Sequence, residues 1–449
     1  MKRFFIHPQL FVLAGICFIQ VLRAGAVDKA VVLPAKQDSE SEDWLLHGAS
    51  TFILQGQPGF RSPYAGENSL PSGDHGRETF SFDIYAGARL WPGAEFYVQQ
   101  EYYQGFGFHN TRGIAAFPNG EAYKTGSKPG LVIWPHIMLR QTFGFGGEQE
   151  AVEGSLMQIA GKVDVNRLTV TMGRFAVFDQ FDVNTYAHDS RGQFMNWALL
   201  DAGAFDYAAD SYGYTQGLSL ELNQKNWALR YGFFLVPKVS NGIDIDYNLS
   251  RHWQQILELE TRYKIGGHAG KTKLLGWVER ANMGSYEETL LNPALNMDIT
   301  QTRRTRTQSG VELNMEQELA SDLGSFLRLA MRDGRSEVWA FTDIDRSLTT
   351  GLSLKGKSWG REKDTAGLAW VLDGLSSSHR AYTASGGLGP LIGDGKLNYG
   401  LESVIETYYD AALTKWLHVA LDYQLVTNPG YNKDRGPVNI FSVRLHCEF

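Results

Sequence analysis

Cysteine is nearly absent: the 449 residues contain two, Cys17 and Cys447. Cys17 lies in an apolar run from Leu10 to Leu22 that follows Met1-Lys2-Arg3 and precedes Ala24-Gly25-Ala26. These are the charged, hydrophobic and small-residue parts of a secretory signal, so residues 1–26 are expected to be removed. Leu13-Ala14-Gly15 invites a lipoprotein reading, but Ile16 intervenes and the cysteine sits inside the hydrophobic run, which argues against lipidation. One thiol then remains, and an exported chain with one thiol has no internal disulfide. Long apolar runs are missing too. Nothing after the leader reaches eighteen apolar residues, which excludes a transmembrane helix but not a barrel, where only alternate residues face lipid. Nor is there an excess of basic charge. The leader takes Lys2, Arg3 and Arg23, so 42 less these three basic residues face 49 acidic ones, a net charge of about −10. That argues against nucleic acid as a partner. Proline is scarce (14) while Gly (49), Phe (25), Tyr (20) and Trp (11) are plentiful, which suits one large antiparallel barrel better than several soluble domains.

What is present is alternation. In Asn439 to Phe449, Phe441, Val443, Leu445, Cys447 and Phe449 share one parity, and Ser442, Arg444, His446 and Glu448 share the other. One face is apolar and the other polar, as in a strand between lipid and water. A terminal strand ending on Phe449 is expected to close the sheet against its first strand, leaving no backbone edge in hydrocarbon. The same grammar recurs upstream. Phe80, Phe82, Ile84, Ala86, Ala88 and Leu90 alternate with Ser81, Asp83, Tyr85, Gly87 and Arg89; Trp91-Pro92-Gly93 turns; Ala94, Phe96 and Val98 then alternate with Glu95, Tyr97 and Gln99. More than a dozen such strands follow one another with no convincing long amphipathic helix, so the reading is a polar lumen and an apolar outside.

Residues 27–43 form a short acidic tail, and the barrel domain is expected over 44–449. Working back from Phe449, connections alternate between long and short as far as Gly154, with short turns assigned to the periplasm. Seventeen candidate strands emerge where an even number is required. Either Trp44 to Gln55 is not a wall strand or two candidates are one, giving sixteen; a missed strand would give eighteen.

The longest polar connection, between strands ending near Phe175 and starting near Tyr214, is expected to fold inward and narrow the pore. Phe194, Trp197, Leu199 and Leu200 are placed to anchor one short helix there. This stretch, with Gln100 to Gly107 (Q-E-Y-Y-Q-G-F-G), Phe117 to Ala122 (F-P-N-G-E-A), Leu139 to Glu148 (L-R-Q-T-F-G-F-G-G-E) and Asp422 to Val438, resembles the carbohydrate-selective porin family of the OprB type. The resemblance runs from about Trp44 to the end. It implies a sixteen-stranded barrel in the outer membrane of a Gram-negative bacterium, passing sugars such as glucose by facilitated diffusion through a constriction of inward loops.

Sugars offer hydroxyls that need donors and acceptors and C–H faces that sit on aromatic rings. Candidate solute contacts on the wall are Arg89, Arg140 and Arg230, with Arg174 at a strand end although it shares the parity of Met172. In the connection they are Asp179, Asp182, Asn184, His188, Arg191, Asn196 and Trp197. For any one of these, an ion pair or packing contact that pins the connection to the wall weighs as much as direct solute contact. Outer-membrane lipid is the other expected partner; no cofactor or metal is expected, and the lipid-facing side gives no contrast from which to read an oligomeric state.

Three other patterns carry less. Gly266 to Thr272 is one residue short of a phosphate loop and reads as a hairpin turn. The acidic stretches, Asp244-Ile245-Asp246 included, lack EF-hand spacing. His188-Asp189-Ser190 has hydrolase letters without a nucleophile elbow, so a barrel hydrolase stays as an alternative to a channel, beside a pore that sorts by size alone. A structural wall anchor would need an additional periplasmic domain.

Overall fold

The computed structural model describes residues 42–449 apart from 125–126; the expected leader and residues 27–41 of the expected tail lie outside them. The described chain is a closed antiparallel barrel. Its strands are β1 (Trp44–Gln57), β2 (Asp74–Trp91), β3 (Ala94–Gly105), β4 (Ser127–Ile133 and Ile137–Gly144), β5 (Arg167–Phe175), β6 (Thr215–Asn223), β7 (Trp227–Phe234) and β8 (Trp253–Ile265). They continue as β9 (His268–Met283), β10 (Arg304–Ala320), β11 (Leu323–Arg332), β12 (Arg346–Gly356), β13 (Arg361–Gly374), β14 (Glu402–Ala412), β15 (Leu417–Thr427) and β16 (Val438–Glu448).

The sheet contains seventeen hydrogen-bonded segments but sixteen crossings, because the two parts of β4 pair with successive stretches of β3. Between them lies Trp134-Pro135-His136, where proline has no amide to give the ladder. The odd strand number therefore resolves by merging. Trp44 to Gln55 is not the strand to discard: β1 pairs with β2 on one side and with β16 on the other, closing the ring. At the seam, Gly48 and Phe449 exchange backbone hydrogen bonds (2.7 and 2.9 Å), and a Cβ on Gly48 would lie 2.5 Å from the Phe449 ring. Glycine is required there by close approach.

The alternation reads as expected. In β2, Phe82 and Ile84 are exposed on the outer face while Ser81, Asp83 and Tyr85 are buried on the inner one. Short turns lie on the side of the barrel that holds Phe449, among them Gly266-Gly267 with φ of 60° and 90°, a two-residue hairpin turn. One connection on that side is long: residues 145–166 carry a small hairpin, Gln149–Val152 against Gly161–Asp164. This insertion is why the long–short alternation fails near Gly154. No helix among the described residues is long and apolar enough to cross a membrane.

Candidate functional site

Residues 176–214 connect β5 to β6 and run against the buried face of the wall. Wall carboxylates hold their backbone. Glu258 on β8 accepts from Asp182 N (2.8 Å), Glu316 on β10 from Thr185 N (2.8 Å), and Glu406 on β14 from Met195 N (2.5 Å) and Asn196 N (3.0 Å). Wall cations take the carbonyls. Arg328 on β11 donates to the carbonyls of Ala187 (2.8 Å), Leu199 (2.9 Å) and Asp182 (3.0 Å), and its Nε pairs with the Asp182 carboxylate (2.9 Å). Arg444 on β16 donates to the carbonyls of Ser190 (2.6 Å) and Gln193 (2.7 Å) and pairs with Asp410 (3.0 Å). Charge-assisted bonds of this kind satisfy backbone groups that water does not reach. The single turn Trp197–Leu200 is capped by Asn196, whose side chain accepts from Ala198 N (3.0 Å). The rings of Phe194 and Trp197 are buried, Phe194 against Tyr408 and Phe326, Trp197 against Phe117 and Phe341.

On its other side this connection borders a cavity of about 360 Å³. Aromatic side chains supply much of the lining, with Tyr85, Tyr123, Phe178, Trp197, Tyr207 and Tyr214 among them. The ionisable lining includes Glu121, Lys124, His188, Arg191 and Asp201. Arg191 bridges Asp83 (2.8 Å) and Glu121 (3.0 Å) and donates to the Tyr85 hydroxyl (2.8 Å). Lys124 donates to the carbonyls of Ala340 (2.6 Å) and Phe341 and to Asn241, with its Nζ 5.6 Å from the Trp197 ring centre. It thereby ties together residues from three connections. Burial pushes the Lys124 amine down to about 7, against the attraction of Asp206 and Asp343. Burial works against ionising Glu121, but Arg191 overrides it and holds that carboxyl below its usual range. Burial pushes Asp201 well up, with Asp182 adding to it, and burial followed by Arg328 pushes His188 down.

Of the eleven residues singled out in the sequence, His188, Arg191 and Trp197 line the cavity. The other eight have partners elsewhere. Asp182, Asn184 and Asn196 belong to the wall anchorage: Asn184 donates to Asn314 on β10 (2.7 Å), and Asn196 to the Ala116 carbonyl (2.8 Å) and Gln424 on β15 (3.1 Å). Asp179 meets His136 (2.7 Å) at the break in β4. Arg174 reaches Asp210 (2.6 Å) and the Trp134 carbonyl (2.9 Å). Arg140 lies over the Tyr97 ring (4.9 Å) and donates to Gln158 (2.9 Å). Arg89 donates to the Ala160 carbonyl (2.9 Å), and Arg230 is enclosed by Glu221, Glu258 and Glu260 at 2.6–3.0 Å. Glu121, Lys124 and Asp201 line the cavity but were not among the eleven. Glu121 lies within the Phe117–Ala122 motif, so a signal existed; reading that motif as a second inward segment would have found it.

His188, Asp189 and Ser190 serve three different partners. His188 Nδ1 donates to the Leu200 carbonyl (3.2 Å), Asp189 accepts from Arg191 N (2.8 Å), and Ser190 Oγ donates to Glu121 (3.1 Å). Among the described residues no cluster of His, Cys, Asp and Glu is arranged to hold a metal ion.

The sequence pattern of the carbohydrate-selective porin, OprB family matches residues 67–449. The chain belongs to this family. It is an outer-membrane β-barrel porin. Among solved structures, the OprB porin of Pseudomonas putida at high pH superposes with a TM-score of 0.69 and 15% identity, covering 91% of this chain and 94% of that one. The outer-membrane channel DcaP of Acinetobacter baumannii gives a TM-score of 0.50 at 8% identity, covering 93% and 100%. These likenesses concern the fold. Porin AaxA of Chlamydia abortus is 22% identical over 287 residues, 62% of this chain. The match spans about half of that porin, 53% of its length.

Proposed function

We propose that this OprB-family barrel passes small carbohydrates, monosaccharides such as glucose, across the outer membrane by facilitated diffusion, with residues 176–214 narrowing the passage. The observation that carries the reading is the cavity. At about 360 Å³ it is at the small end of the roughly 300–1,000 Å³ typical of ligand sites, and it joins ring faces with hydrogen-bonding groups. Rings such as Phe178, Tyr207 and Tyr214 suit the C–H faces of a sugar, while Arg191, Glu121 and His188 offer donors and acceptors to hydroxyls. The charges near it include both signs, Arg191 and Lys124 beside Glu121 and Asp210, which fits a neutral polar solute better than an ion of either sign. Of the candidates chosen from sequence, His188, Arg191 and Trp197 are proposed as solute contacts. Arg89, Arg140, Arg174, Asp179, Asp182, Asn184, Asn196 and Arg230 are proposed to shape the passage through the partners described above.

The test is swelling of liposomes that contain the purified protein, in glucose, a similar-sized neutral amino acid and a similar-sized organic anion. Sugar entering fastest is the expected result. Entry ordered by size alone would identify a general diffusion pore and overturn the proposal. Shortening Asp179 to Asp210 is expected to raise conductance and erase preference among solutes of similar size.

A further inference from the structure

Asp201 stands apart from the other acidic residues of the connection. It follows the turn Trp197–Leu200, it is 2% exposed, and its Oδ1 has no hydrogen-bond partner among the described residues. The surrounding donors are committed elsewhere. Arg328 spends its guanidinium on Asp182 and on the carbonyls of Ala187, Leu199 and Leu200. His188 Nδ1 donates to the Leu200 carbonyl at 3.2 Å and lies 3.9 Å from Asp201 Oδ1, beyond hydrogen-bond reach. Burial and the acidic neighbours Asp182 and Asp179 disfavour a negative charge on Asp201, against the attraction of Arg328. Yet it lines the cavity together with Phe178 and Tyr207, whose rings meet edge-to-face at 5.6 Å. A buried acceptor left unmade costs more than a typical hydrogen bond returns. A chain that keeps one at a cavity wall beside two ring edges has a place for a donor that arrives from outside.

We infer that Asp201 is a specificity-determining residue of the passage: its carboxyl receives a hydroxyl of a neutral polyhydroxylated solute whose ring lies against Phe178 and Tyr207. The inference rests on the sugar-channel reading and adds the discriminating residue to it. A hydroxyl donates to the ionised carboxylate in a charge-assisted bond and accepts a weaker, neutral one from the protonated carboxyl, so the contact survives protonation but changes in strength. A carboxylate group gains nothing there, since it brings no donor and is repelled by Asp179 and Asp182, the acidic neighbours of Asp201. Because the contact is one hydrogen bond in a wide lining, the solute is retained briefly and released, as conduction requires.

The experiment measures block of the ion current through the full-length protein in planar bilayers as glucose is added, for wild type, Asp201→Ala and Asp201→Asn, with 1,4-dioxane, a ring that carries no hydroxyl or other donor, as the control solute. The expected result is a half-blocking glucose concentration raised roughly three- to tenfold in Asp201→Ala, the worth of one hydrogen bond, with the effect of dioxane unmoved. Asp201→Asn keeps the shape and one acceptor. Its half-blocking concentration is expected to follow only the titration of Lys124, His188 and the other lining groups that both proteins share, while that of the wild type carries an additional change between pH 4 and pH 9 as Asp201 titrates beside Asp179, Asp182, His188 and Arg328. That pH signature is one a merely structural role would not produce, and it decides the matter if the alanine variant fails to form a barrel. Wild-type block retained in Asp201→Ala, or identical pH profiles for wild type and Asp201→Asn, would overturn the assignment of Asp201 while leaving the sugar channel intact. A wild-type protein with no saturable block by glucose would overturn both.

Discussion

The connection 176–214 has two sides that use the same residue types for opposite ends. Toward β8–β11, β14 and β16, Asp182, Asn184 and Asn196 are buried and matched to Glu258, Asn314, Arg328 and Glu406 at hydrogen-bond distance. Toward the cavity, Arg191 and Asp201 stand among rings and border open volume, with Glu121 and Lys124 of the β3–β4 connection in the same lining. The first side determines where the connection lies, and the second borders the cavity through which solute is proposed to pass. Residue type does not separate them: Asp182 and Asp201 are both buried aspartates of one segment, and only Asp182 has an arginine pair.

The holding side is most vulnerable at Arg328. Arg328→Ala leaves Asp182, fully buried, without its counter-charge, and is expected to cost roughly 3–5 kcal/mol, read as the urea midpoint of the barrel in detergent. Arg328→Lys should recover only part, because an ammonium does not reproduce a planar guanidinium spread over several carbonyls. A loss smaller than that caused by Asp201→Ala would mean that the holding side has been assigned to the wrong residues.

Lys124 sharpens the cavity side through pH. The folded chain holds its amine at about 7, whereas the unfolded chain holds it near the ordinary lysine value of about 10.4. Between these limits the unfolded state binds the additional proton, so the stability contributed by this group rises with pH from about 7 to about 10 and is lowest below 7. Wild type is expected to gain up to a few kcal/mol over that window relative to Lys124→Met, measured from unfolding midpoints at each pH. Parallel profiles would show that the amine is better hydrated than its enclosure suggests.

Phe178→Ala tests the ring lining alone. The worth of an aromatic contact, about 0.5–1.5 kcal/mol, predicts a several-fold weaker glucose block with the conductance of small ions little reduced. The smallest effect is expected at Lys225, paired with Glu148 at 2.6 Å on an exposed turn: Lys225→Ala should leave unfolding and block unchanged.

Much of the wall was legible in the sequence because a closed barrel writes itself into every strand as period two, with Phe82 and Ile84 out and Asp83 and Tyr85 in. Two features hid from that signal. Pro135 interrupts β4 and makes one crossing look like two, and the hairpin in 145–166 lengthens a turn on the short side. The site was less legible. Alternation separates a polar face from an apolar one but could not say that Glu258, Glu316 and Glu406 receive backbone amides of a segment far away in sequence. Arg89 and Arg230 were chosen by the same parity, yet Arg89 meets Glu95 and the Ala160 carbonyl, and Arg230 meets three glutamates. Lys124 and Asp201 acquire their character from enclosure, a property of the packed molecule that no local pattern encodes.

The grip of Glu258, Glu316 and Glu406 on backbone amides has a consequence for descent and redesign. An amide is the same whichever side chain follows it, proline excepted, so the wall recognises the course of the segment and not its letters at those points. Substitutions at exposed positions such as Val183 and Asp189 therefore leave these clasps in place, whereas Thr185 also donates its hydroxyl to Glu316 (2.7 Å). Selectivity in such a barrel is free to drift while its scaffold stays fixed, and a foreign segment with the same backbone path has somewhere to attach.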